Sequence, residues 1–217
     1  MLGTSTWARA AILNHAQTAK TLESVAIAAH PELRDYITAY DRAESSAART
    51  FAATWTMLHF PGMKPFVNAG ALRTTRFGKI DDYRDNWWCS DVGARVSNPE
   101  GMLSYFWDNT YSGEQKPTSP AFPAFVSAPE RTAAEHQWGD LSAIGAAPNY
   151  FGRIVLDWGK AHPNDERIPE ALHLVVRATR YGCTDAGSGN ISKRAFEVLH
   201  SRYPDSPWTQ KTPYWFK

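Results

Sequence analysis

A chain of 217 residues is long enough to bury a substantial core, in one domain or two small ones. Its 23 Lys+Arg against 22 Asp+Glu leave a formal net charge of +1, which argues against a protein whose main task is gripping nucleic acid or an anionic membrane. With 43% hydrophobic and 21% charged residues the chain reads as soluble and globular, and no apolar run approaches the about 20 residues of a membrane span. The unusual feature is an aromatic load of nine Trp, nine Tyr and ten Phe.

Met1-Leu2-Gly3-Thr4-Ser5-Thr6 leads directly into Trp7-Ala8-Arg9-Ala10-Ala11-Ile12-Leu13, without a basic stretch, an apolar stretch and a small-residue cleavage site in succession. Thr4 or Thr6 is the expected N-cap of a first helix. The chain reads as the mature or C-terminal part of an exported protein (periplasm, outer-membrane surface or extracellular), with a cytoplasmic protein as the alternative. Trp7–Lys20 and Thr21–Ala29 carry apolar residues at helical spacing, and His30-Pro31 stops the second, because a residue before proline is pushed out of the α region. Pro31 opens a further helix to about Arg42. In Glu44–Phe60 the residues Ala47, Phe51, Trp55 and Leu58 share one face, and Pro61-Gly62 ends it.

A short helix is expected from Asp81 to Trp88. Ser90 to Glu130 is read as a long irregular segment broken by Pro99, Pro117, Pro120, Pro123 and Pro129, and rich in aromatics that include Tyr105, Trp107 and Tyr111. Helices return over Thr132–Ile144, Tyr150–His162, Ile168–Tyr181 and Ser192–Tyr203, with Asp185–Gly189 as a turn. The tail from Asp205 is expected to lie over the helices without being helical. The chain divides into an N-terminal helical part (1–89), the irregular segment (90–130) and a C-terminal helical part (131–217), within one continuous domain.

Trp158-Gly159-Lys160-Ala161-His162-Pro163-Asn164-Asp165 and Leu199-His200-Ser201-Arg202-Tyr203-Pro204-Asp205-Ser206 share a pattern of helix end, aromatic or His, proline and polar turn, with prolines at 163 and 204. With Ala195-Phe196 and Pro169-Glu170-Ala171-Leu172, this stretch resembles tetratricopeptide-like helical-repeat proteins of the bacterial envelope. The whole chain resembles the C-terminal part of longer bacterial proteins of uncharacterised function, through Arg84-Asp85-Asn86-Trp87-Trp88-Cys89 and Ser206-Pro207-Trp208. The resemblance implies an all-α fold of antiparallel helix pairs that stack to bury their apolar faces.

Cys89 and Cys183 are expected to form a disulfide, which across so long a loop would be worth about 4 to 5 kcal/mol; two buried thiols in a reducing compartment are the alternative. The seven histidines (His15, His30, His59, His136, His162, His173, His200) lack metal-ligand spacing, and Asp81, Asp82 and Asp85 read as charges facing a helix N-terminus, so no metal or other cofactor is expected. No phosphate-binding loop, dinucleotide fingerprint or hydrolase elbow is present. Asp157 with Asp165 or Glu166 would be an acid–base pair only if the fold set them across a cleft. The chain is therefore expected to be a non-catalytic protein-interaction or assembly module that binds protein partners and no nucleic acid. The alternative is a glycan-binding protein. Trp107, Tyr111, Trp208 and Trp215 are the candidate contact residues, since aromatic faces serve both purposes.

Overall fold

A computed structural model describes residues 2–60, 63, 65, 125–181 and 185–216. Among the described residues all regular structure is helical and no strand occurs. The N-terminal part holds α1 (Leu2–Ile12), α2 (Ala16–Ala29), a 3-10 turn (Pro31–Leu33), α3 (Arg34–Asp41) and α4 (Ser46–His59). The C-terminal part holds α5 (Ala128–Ile144), α6 (Ala147–Ala161), α7 (Ile168–Tyr181), α8 (Ser188–Arg202) and the short α9 (Pro207–Gln210). No described helix is long and apolar enough to cross a membrane.

The first helix begins earlier than its sequence suggests, so Thr4 and Thr6 lie inside α1 and do not cap it. It also ends earlier, at Ile12, because Asn14 adopts φ 58°, the left-handed geometry that asparagine tolerates. The amides of Asn14 and His15 then turn back onto the carbonyls of Ala11 (3.3 Å) and Ala10 (2.8 Å) and close the helix end. The Asn14 side chain takes hydrogen bonds from Ser46 and Thr50, each at 3.2 Å, and so pins the start of α4 to this turn.

Four described helices end alike. The last-turn residues His30, Phe60, His162 and Tyr203 precede prolines, sit at φ between −123° and −144° and ψ between 51° and 85°, and each donates its amide to the carbonyl four residues back. The carbonyl of each then accepts from the amide three residues on, at Leu33, Met63, Asp165 and Ser206. Steric exclusion of the pre-proline residue from the α region explains both features.

Two helices start inside stretches that read as irregular. Ser127, just before α5, donates its amide at 2.8 Å and its hydroxyl at 2.6 Å to the Glu130 carboxylate in the first turn, so the helix claims the last residues of the 90–130 segment. Asp185 accepts from the Gly187 amide at 2.7 Å and donates its own amide to Ser188 Oγ at 2.9 Å, which starts α8 where a turn was expected. By contrast α7 has the expected bounds, with Leu172, Val175, Val176 and Thr179 all buried.

One contiguous core runs through both helical parts, from Trp7, Phe51 and Met57 to Phe151, Leu172 and Leu199. α4 provides the junction by packing on α1 and α3 on one side and on α6 and α7 on the other.

The tail is laid on α7 and α8, with one addition to expectation, the short helix α9 capped by Ser206. Thr212 is its anchor. The Thr212 hydroxyl donates to the Trp208 carbonyl at 2.8 Å, which leaves its oxygen to accept from His173 Nδ1 at 2.7 Å, while His200 Nε2 donates to the Thr212 carbonyl at 2.8 Å. Burial, and then the Lys211 ammonium, push the His173 pKa down to about 4. An unfolded histidine titrates at about 6.5, so between those values the unfolded chain binds more protons. Stability is therefore expected to fall as pH drops from about 6.5 towards 4, by about 2 kcal/mol in total. Urea midpoints measured across that range should fall in the wild type and fall less in His173→Gln; equal slopes would refute the assignment.

Candidate functional site

The connection between α6 and α7 is built around Asp165. Its Oδ1 accepts from the Arg167 amide at 3.1 Å and from Arg167 Nε at 2.9 Å; its Oδ2 accepts from Arg167 Nη2 at 2.6 Å and from the Trp158 indole at 2.9 Å. Burial opposes the charge on this carboxylate, but the bonds from Arg167 and Trp158 prevail and hold its pKa down at about 2. Aromatic rings continue the structure. Phe51 of α4 stacks on Trp158 at 5.0 Å between centroids, His162 stacks on Trp158 at 3.7 Å, and the Arg167 guanidinium lies 4.7 Å from the Phe51 centroid. The turn is thus fixed from four directions.

Beside it opens a groove of about 810 Å³, lined by Lys160 of α6, the connecting residues Pro163, Asn164, Asp165 and Glu166, Pro169 of α7, and Arg202 and Tyr203 at the end of α8. The Tyr203 hydroxyl donates to the Pro163 carbonyl at 2.8 Å, tying the end of α8 to the end of α6. Burial raises the pKa of that phenol. Among the described residues neither Lys160 nor Arg202 has an ion-pair partner, and Glu166 has none either. Since Asp165 is committed to Arg167, two free cations face one free carboxylate.

The structure separates the residues that the sequence singled out. Asp165 and Glu166 line the groove, whereas Asp157 is exposed and is not among the lining residues. The bonds to Asp165 keep it ionised and occupied, which is the opposite of what a general acid requires. Trp208 and Trp215 are half-buried and packed on the core. Lys211 lies 4.1 Å from the Trp208 centroid and His173 lies 5.1 Å from it, and Trp215 packs on Phe196 at 5.0 Å. The tail residue with a largely open aromatic face is Tyr214, at 53% exposure. Trp107, Tyr111, Cys89 and Cys183 lie outside the described residues, as do Asp81, Asp82 and Asp85. Among the described residues no group of three or more His, Cys, Asp or Glu side chains could hold a metal ion.

The histidines show an order that scanning for metal spacing overlooks. Trp55 and His59, Trp158 and His162, and Phe196 and His200 are each four residues apart at a helix end, with centroids 4.2, 3.7 and 4.0 Å apart. An aromatic followed four positions later by histidine, with a proline one to four residues further on, was the available signal. No known family, curated protein or solved structure matches the chain.

Proposed function

We propose that the chain is a non-catalytic protein-interaction module, a subunit or segment of a larger exported bacterial assembly, and that the groove beside Asp165 is its contact surface. The observation that carries this reading is the pairing of an open groove with two unpartnered cations, Lys160 and Arg202, on a turn held rigid from four directions. Open, mixed-polarity surfaces suit a protein segment better than an enclosed small-molecule site does, and preorganisation lowers the cost of binding. The matching proline-stopped helix ends support a helical repeat of the tetratricopeptide kind. The exported placement rests on the expected Cys89–Cys183 disulfide, which thiol alkylation of the unreduced protein checks by labelling neither cysteine.

Quantitative affinity capture from bacterial extracts tests the contact surface. Baits would be the wild type, the double reversal Lys160→Glu/Arg202→Glu, and Arg131→Glu on the exposed face of α5 as a charge control. Proteins retained by the wild type and the control are expected to fall about tenfold or more with the double reversal. Equal retention by all three baits would exclude the groove as the contact.

A further inference from the structure

His59 stands at the end of α4 with two fixed partners. Its Nδ1 lies 2.8 Å from the Trp55 carbonyl, and its Nε2 lies 3.3 Å from Oε1 of Glu170, in the first turn of α7. A carbonyl can only accept, so Nδ1 must carry a hydrogen. In the neutral ring that leaves Nε2 as a bare lone pair, facing a carboxylate that is also acceptor-only when ionised. The Nε2–Glu170 contact is therefore attractive only when one additional proton lies between the two groups, on the ring or on the carboxyl.

We propose that His59 and Glu170 form a proton-dependent latch that joins α4 to the start of α7, closed when the pair holds that proton and repulsive when it does not. The two residues are far apart in sequence, 111 positions, and belong to the two helical parts, so the latch spans their junction. Both side chains are largely shielded, at 19% and 28% exposure, which limits solvent screening. The surroundings set the ring in place. Trp55 of α4 packs on it at 4.2 Å, and Tyr36 of α3 packs on it at 5.3 Å. Tyr36 and Glu170 are the titratable groups that face it, with the Asp35 carboxylate acting on Tyr36 from the same helix. Among the described residues α1 and α6, which also pack on α4, place no charged partner on the ring. Glu170 directly follows the groove residue Pro169, so the latch acts next to the proposed contact surface but does not depend on that assignment.

The test uses Glu170→Gln, whose amide can donate to the bare Nε2 and so needs no additional proton. Melting temperatures of the full chain are compared between pH 5.5 and pH 8. The wild type is expected to lose about 3 °C relative to the variant as pH rises through that range. Nitrogen NMR of the wild-type imidazole, which does not depend on the variant folding, is expected to show the contact proton at Nε2 at the acid end and its loss at the alkaline end. A melting-temperature difference that does not change with pH, or a ring that carries only the Nδ1 hydrogen throughout beside a Glu170 carboxylate that stays ionised throughout, would overturn the latch.

Discussion

Replacing Phe51 by alanine is expected to lower folding stability by about 3 to 5 kcal/mol, the usual cost of truncating a buried phenylalanine. Phe51 has no exposed surface, and it is the ring through which α4 meets both Trp158 of α6 and the Arg167 guanidinium. Its loss would remove buried area, leave a cavity at the junction of the helical parts and strip one face from Trp158. In a chain of this size the melting temperature should fall by about 10 °C. Phe51→Leu should retain much of the difference, because it fills volume without restoring the stack. Urea unfolding followed by helix content and Trp fluorescence measures both variants. A cost under about 1 kcal/mol for Phe51→Ala would mean that the two parts are not held at this ring.

The second large effect is expected at Gly152, in the middle of α6. A Cβ built there would overlap the Ile191 Cγ2 methyl of α8 and would lie 3.3 Å from Val175 Cγ1 of α7. Helix propensity alone would favour Gly152→Ala by about 1 kcal/mol. The overlap should outweigh this, because Ile191 is β-branched and cannot swing its methyl aside, and overpacking costs about 1 to 3 kcal/mol. The expected net result is a loss of about 1 to 2 kcal/mol for Gly152→Ala, and a larger one for Gly152→Val. Adding Ile191→Ala makes room, so the double variant Gly152→Ala/Ile191→Ala should be more stable than the sum of the singles predicts. Additive losses would show that α6 and α8 do not approach at this point.

Local pattern carried the helical class and several bounds. α7 was legible because a proline in its first turn coincides with a clean apolar stripe ending in Thr179. The break between α1 and α2 was misplaced because it turns on the backbone of one residue, Asn14, in an otherwise continuous helix-forming run. The start of α8 was hidden by Gly187 and Gly189, whose composition reads as a turn until Asp185 is seen to hold the amide of Gly187, the residue from which the helix starts. Ala47, placed on the apolar face of α4, is exposed. The candidate site was only half legible. Asp165 and Glu166 were singled out, but Lys160 and Arg202 are distant in sequence and meet only because α6 and α8 end side by side. The single cooperative role of Asp165, four bonds in one turn, depends on where Trp158 and Arg167 point, and that is a property of packing.

The shared helix endings have a consequence for how the chain is made. Without Pro163 and Pro169, the run from Ala147 to Tyr181 could propagate as one rod of about 35 residues, roughly 50 Å long, since local hydrogen bonding forms faster than distant packing. Each stop forbids that outcome by backbone sterics alone, before any partner helix exists. During synthesis a helix would therefore reach its final length when its proline joins the growing chain. The order of the fold would then be written as successive finished pieces waiting for neighbours, and not as a long helix that must later be broken.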